Sequence, residues 1–121
     1  METILRKYFD CWLTKNPQPL TDIFSNDITY TECYGPEYQG IDQILKWFHD
    51  WNAQGSVLRW DIKHIYACGN TLVAEWFFQC DYRQSVGGFD GVTIAEFDAD
   101  NKICNLKEFQ SKSEHVHPYA I

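Results

Sequence analysis

Several things this sequence lacks narrow its reading at once. Its five cysteines (Cys11, Cys33, Cys68, Cys80 and Cys104) are odd in number and show no C-x-x-C spacing. That pattern offers no disulfide framework and fits free, mostly buried thiols in a reducing cytosol. The N-terminus carries charges at Glu2, Arg6 and Lys7 and no long apolar run. Neither a signal peptide nor a membrane span is read from it, so a cytoplasmic location is expected. Basic residues are few and scattered, 10 Lys and Arg against 17 Asp and Glu, for a net charge of −7. A nucleic-acid surface is therefore not expected, and the charge serves solubility. Repeats, low-complexity segments and internal linkers are missing too.

What is present suits one globular domain over 1–121, long enough to bury a core without disulfides or metal. Hydrophobic residues make up 45 % and aromatic residues 17 %, which points to an aromatic-lined interior. Ile4, Leu5, Tyr8, Phe9, Trp12 and Leu13 form a helical stripe that Asn16-Pro17 ends. Tyr8 lies within it, so its hydroxyl is either buried or turned to a cavity. A short second helix is read over Pro19 to Phe24. A strand follows from Ile28 to Tyr34, with Ile28, Tyr30, Glu32 and Tyr34 on one face. Gly35-Pro36 breaks it, and Gly40 precedes a third helix over Ile41 to Asn52. Its stripe is Ile41, Ile44, Leu45, Phe48 and Trp51, with Trp47 one step round.

From Ser56 to Ser111 the chain reads as four strands joined by three tight turns. Cys68-Gly69-Asn70 fixes the first turn, and Asp98 to Asn101 the third, with Asn101 able to take the left-handed conformation. Two registers are open for the first hairpin. A two-residue Gly69-Asn70 turn sets Lys63 opposite Trp76. A three-residue loop, with Asn70 left-handed, sets Lys63 opposite Glu75, Ile62 opposite Trp76, Trp60 opposite Phe78 and Leu58 opposite Cys80. The second matches charges and apolar pairs and is preferred. Its inner face carries Leu58, Trp60, Ile62 and His64 on one strand and Ala74, Trp76, Phe78 and Cys80 on the next. The expected class is α+β, with the helices packed on one face of a strongly bent antiparallel sheet.

With these residues placed, the chain resembles the nuclear transport factor 2 (NTF2-like) superfamily in its SnoaL-like branch. The resemblance rests on element order, Gly40 before the third helix, the Phe89-Asp90-Gly91-Val92 strand and Asn101-Lys102-Ile103 opening the last strand. The closing Lys107-Glu108-Phe109-Gln110-Ser111 and His117-Pro118-Tyr119 resemble a bacterial SnoaL-like subgroup. The resemblance implies a cone-shaped fold, three N-terminal helices on the concave sheet face, a deep pocket between them, and dimerisation through the convex face. Matched to ketosteroid isomerase, Glu32 falls at the general base and Tyr8 at the oxyanion-hole tyrosine. Thr93 falls where that enzyme keeps a protonated aspartate, a group the handed-down pattern would need and this position lacks. Matched to limonene epoxide hydrolase, Glu108 takes the place of one catalytic aspartate, while Trp76 and Phe78 replace the arginine and the other aspartate. Epoxide hydrolysis is accordingly not expected.

The candidate site follows. Glu108 and Gln110 are expected to point inward from the last strand, with Gly91 leaving room beside the carboxylate. A carboxylate among Trp, Phe and Leu should have a raised pKa and suit general acid or base work. Catalytic candidates are Glu32, Glu108 and Tyr8. Ligand-binding candidates are Trp47, Trp60, Trp76, Phe78, Gln110 and His64, with His64 more at home as a hydrogen-bonded rim residue than as a base. Cys80 is read as pocket lining. His115 and His117 with Glu114 lie on a tail and are not read as a metal site. No cofactor is called for. The expected function is a cofactor-independent SnoaL-like enzyme of isomerase or cyclase type, moving a proton on a hydrophobic, carbonyl-bearing small molecule. The rival is a non-catalytic dimeric module for an apolar ligand or protein partner. Val73, Phe77, Val92, Ile94 and Phe109 on the convex face predict a homodimer in either case.

Overall fold

Helix α1 (Glu2–Thr14) forms where the first stripe predicts it. Leu5, Tyr8, Phe9 and Trp12 are buried from it, joined by Cys11, whereas Leu13 turns out to solvent at 39 % exposure. Lys15 closes the helix in the left-handed conformation, its N–H bonded to the Trp12 carbonyl. A single turn, α2 (Leu20–Ile23), leads directly into β1 (Phe24–Thr31). The computed structural model describes residues 1–119.

Strand β1 begins and ends earlier than the expected Ile28 to Tyr34. Beyond Thr31 the chain turns: the Gly35 N–H reaches the Glu32 carbonyl at 3.1 Å, and the Glu32 N–H reaches that of Pro36 at 2.9 Å. Gly35 has φ of 109°, a conformation that an L side chain rarely adopts. A short strand absent from the sequence reading, β2 (Glu37–Gln39), then pairs back on β1. Gly40 (φ 84°) gives its N–H to the Ile28 carbonyl and opens α3 (Ile41–Gln54).

The remaining strands are β3 (Gly55–Cys68), β4 (Thr71–Tyr82), β5 (Ser85–Phe97) and β6 (Ile103–Ser111). The sheet order is β2-β1-β6-β5-β4-β3, bent and unclosed. Antiparallel pairing runs from β3 to β6 as expected, while β1 joins β6 in parallel. Asn101, with φ of 61°, sits in the left-handed region its turn requires.

The β3–β4 hairpin holds both candidate registers in succession. Next to the turn, which is the two-residue Gly69-Asn70, Cys68 pairs with Thr71 and His64 with Glu75. Gly69, not Asn70, is left-handed, with φ of 58°. A bulge between Ile62 and His64 then shifts the strand, so that Ile62 meets Trp76 and Trp60 meets Phe78 as preferred. A second bulge between Val57 and Arg59 puts Val57, not Leu58, opposite Cys80. Each bulge reverses which residues face inward. Leu58 is therefore 47 % exposed, and Val57 and Ile65 pack against the core where Leu58 and His64 were expected.

Candidate active site

The concave face of the sheet and the helices enclose an aromatic cleft. One wall comes from the helices: Trp12 of α1 stands against Trp47 and Trp51 of α3, with ring centroids 4.9 and 5.4 Å apart. The facing wall comes from the sheet, where Trp60, Trp76 and Phe78 pack edge to face and Phe89 closes on Phe78 at 5.4 Å. Tyr30 joins the two walls, 5.0 Å from Trp47. The inner chamber is small, about 40 Å³, and two carboxylates, Glu32 and Glu108, line it among these rings. Glu32, Tyr34, Trp47 and Trp51 also line a wider hollow of about 740 Å³, so the chamber opens through them to solvent.

Glu108 sits at the floor, 8 % exposed. Strand β6 positions it directly opposite Thr93 of β5. Its Oε2 accepts a hydrogen bond from the Tyr30 hydroxyl at 2.7 Å, and that hydroxyl accepts one from Tyr8 at 2.6 Å. Burial pushes the Glu108 carboxyl up to about 8; the nearby Glu32 charge adds to this, and the Tyr30 hydrogen bond opposes it. The group is thus mainly a neutral acid at pH 7. Opposite it, the Thr93 hydroxyl accepts from the Trp76 indole N–H at 2.9 Å.

Glu32 stands just past β1 at the boundary of chamber and mouth. The Tyr38 hydroxyl donates to its Oε1 at 2.7 Å, and Tyr38 stacks on Trp47 at 4.5 Å. Half-burial raises its pKa, and the Tyr38 hydrogen bond holds it down. Both carboxyl groups of the site are thus pushed up by burial, and each accepts a hydrogen bond from a tyrosine hydroxyl. Cys33 lines the chamber too, but burial and the two carboxylates push its thiol up to about 12, which suits no nucleophile at neutral pH.

Tyr8 is fully buried and does not line the chamber; its hydroxyl is engaged by Tyr30. Tyr30, read in the sequence only as a neighbour of Glu32, lines the chamber, as does Tyr34. The alternation Ile28-Tyr30-Glu32 carries the signal for it. Trp47, Trp60, Trp76 and Phe78 all line the chamber. His64 does not: the bulge before it turns it outward, where it lies exposed, 4.3 Å from the Tyr66 ring. Gln110 is exposed as well and pairs with Gly91. The room over Gly91 holds the Trp76 ring, not a carboxylate, since a Cβ there would lie 2.5 Å from Trp76 Cη2. Among the described residues, the buried indole N–H of Trp60 has no hydrogen-bond partner. His115 stands 3.8 Å from Asp90, away from the cleft.

The profile of the SnoaL-like domain family matches residues 5–106. The chain belongs to this SnoaL-like family. Solved structures agree on the fold. A hypothetical protein with a ketosteroid isomerase-like fold from Catenulispora acidiphila, in complex with trimethylamine, is 20 % identical over 89 % of this chain and 85 % of that one, with a TM-score of 0.79. A candidate SnoaL-like polyketide cyclase from Shewanella denitrificans is 15 % identical over 91 % and 89 %, with a TM-score of 0.78. An LEH-like epoxide hydrolase from M. tuberculosis is 11 % identical over 90 % and 80 %, with a TM-score of 0.80. No curated protein matches the sequence. At these identities the SnoaL-like chain shares a fold with its neighbours, and the fold alone does not carry their chemistry. Among the described residues, no helix is long and apolar enough to cross a membrane.

Proposed function

We propose that this SnoaL-like chain is a small cofactor-independent enzyme that moves a proton on a carbonyl-bearing small molecule. The observation that carries the reading is Glu108, a buried carboxyl with a pKa near 8 at the floor of an aromatic cleft, facing a second carboxyl at its mouth. Glu32, as carboxylate, takes a proton from the carbon beside the carbonyl. The C–H electron pair becomes the new C=C bond, and charge moves to the carbonyl oxygen. The neutral Glu108 donates its O–H to that oxygen, with Tyr30 and Tyr8 holding it in place. Return of the proton to another carbon completes an isomerisation. Trp47, Trp60, Trp76 and Phe78 hold the apolar part of the substrate.

The narrow chamber of about 40 Å³ favours a second reading, a non-catalytic module whose cone is filled by its own rings. In both readings the chain forms a homodimer through the convex face, a role supported by Phe109, 54 % exposed there. Hydrogen–deuterium exchange at carbons beside the carbonyl of small ketones and diketones, followed by NMR, separates the two. The enzyme gives exchange above buffer that falls by about 10²-fold or more in both Glu32→Gln and Glu108→Gln. Exchange at the buffer rate throughout, in wild type as in the variants, leaves the module.

A further inference from the structure

Among the described residues, the lining of the inner chamber joins many aromatic rings to two carboxyl groups and includes no Lys or Arg. An apolar ligand needs the rings but has no use for the carboxylates. A cation uses both, since ring faces are negative and attract ammonium groups, most strongly where water is excluded. The wider mouth adds Asp50, while its one Arg, Arg83, already sits over the Tyr82 ring at 5.4 Å. The whole chain carries a net charge of −7, which draws cations towards it.

Size and hydrogen bonding narrow the ligand further. A chamber of about 40 Å³ admits a compact head group and leaves the rest of the molecule to the mouth. Trp60 retains an unmatched indole N–H, a donor that an oxygen on the same molecule would satisfy. We propose that the cleft takes a small alkylammonium compound that also bears an oxygen, its cationic head held among Trp47, Trp60 and Trp76 beside Glu32 and Glu108. The inference rests on reading the cleft as the ligand site, though not on catalysis there.

Binding of such a head is coupled to protons. Glu108 faces Tyr30 from β1, Glu32 and Cys33 just beyond it, and Tyr8 from α1; β5 presents the uncharged Thr93 opposite it. A cation arriving there favours the ionised carboxylate, so its affinity rises as Glu108 loses its proton.

Calorimetric titration of the full chain with choline and with its neutral isostere 3,3-dimethylbutan-1-ol, at pH 7 and pH 9, tests the proposal. Choline should bind about tenfold or more tightly than the isostere. Its affinity should rise from pH 7 to 9, with proton release at pH 7, and the isostere should show neither effect. Glu32→Gln, on the half-exposed rim, should reduce choline affinity several-fold and leave the isostere unchanged. Equal binding of the two, preference for the isostere, or no binding of either overturns the proposal; the wild-type ratio decides even where a variant does not fold. Choline has no carbonyl to enolise, so the titration is blind to catalysis. Ketone exchange without choline preference removes this inference alone, and choline preference without ketone exchange removes only the enzyme reading.

Discussion

Tyr30 and Glu108 lie 78 positions apart in the chain, yet the Tyr30 hydroxyl donates to Glu108 Oε2 at 2.7 Å inside the core. The bond does two opposed things. It satisfies an oxygen that would otherwise be buried bare, and it lowers a carboxyl pKa that burial raises. Replacing Tyr30 with Phe removes the donor to Glu108 and leaves the Tyr8 hydroxyl without its acceptor. A stability loss of about 1–3 kcal/mol is expected in urea unfolding at pH 7, and NMR titration should show the Glu108 pKa moving further up. A Glu108 pKa that falls in Tyr30→Phe would contradict this account of the bond.

Stability should depend on pH in a way set by the same group. Glu108 titrates near its ordinary value of 4.5 in the unfolded chain and near 8 in the folded one. Between those values the folded state binds the extra proton, so its stability is greatest at the acidic end and falls as pH rises to about 8. The slope for one such proton approaches about 1.4 kcal/mol per pH unit. Glu32, also raised, acts in the same direction. Glu108→Gln keeps an acceptor for Tyr30 and should flatten most of this slope; urea midpoints from pH 5 to 9 would reveal it.

Catalysis, if Glu32 is the base and Glu108 the acid, should follow a bell. The rate for a ketone substrate should rise as Glu32 ionises and fall above about pH 8 as Glu108 does. In Glu108→Gln the falling limb should vanish along with most of the rate. A limb that persists in the variant assigns it to another group.

Two glycines in β5 should respond oppositely to alanine. A Cβ at Gly91 would lie 2.5 Å from both the Phe109 carbonyl oxygen and the Trp76 ring, whereas one at Gly87 meets nothing within 4 Å. Gly91→Ala should cost about 1–3 kcal/mol and disturb the near-ultraviolet signal of Trp76. Gly87→Ala should be neutral or stabilise by up to about 1 kcal/mol.

The convex face offers a further check. Phe109→Asp should convert a homodimer to a monomer in light scattering at micromolar concentration. A wild-type monomer under those conditions removes the dimer.

The helices and the last turn were the legible part of this sequence; the first hairpin turn was not, since Gly69 rather than Asn70 is left-handed there. The stripes of α1 and α3, the Gly40 entry to α3 and the left-handed Asn101 all follow from side-chain periodicity and backbone freedom, which act over a few residues. That Trp47, Trp60, Trp76 and Phe78 line one chamber was legible too, because large rings seek the concave face. His64 and Leu58 were not. Each bulge in β3 adds one residue to one strand only, and nothing local in Leu58 or Lys63 signals it. A strand reading by strict alternation must then fail beyond the bulge. Tyr30 was hidden for another reason. A match of positions favoured Tyr8, but the tyrosine that bonds Glu108 is decided by three-dimensional packing of β1 against β6.

The parallel joining of β1 to β6 also shapes how the molecule comes into being. Tyr30 and Glu32 are made well before Glu108 and the strand that flanks β1, Tyr30 and Glu108 lying 78 positions apart. Pairing across so long a stretch closes a large loop and slows folding. A nascent chain therefore cannot complete this cleft until β6 has left the ribosome, since β6 both flanks β1 and supplies Glu108 to its floor.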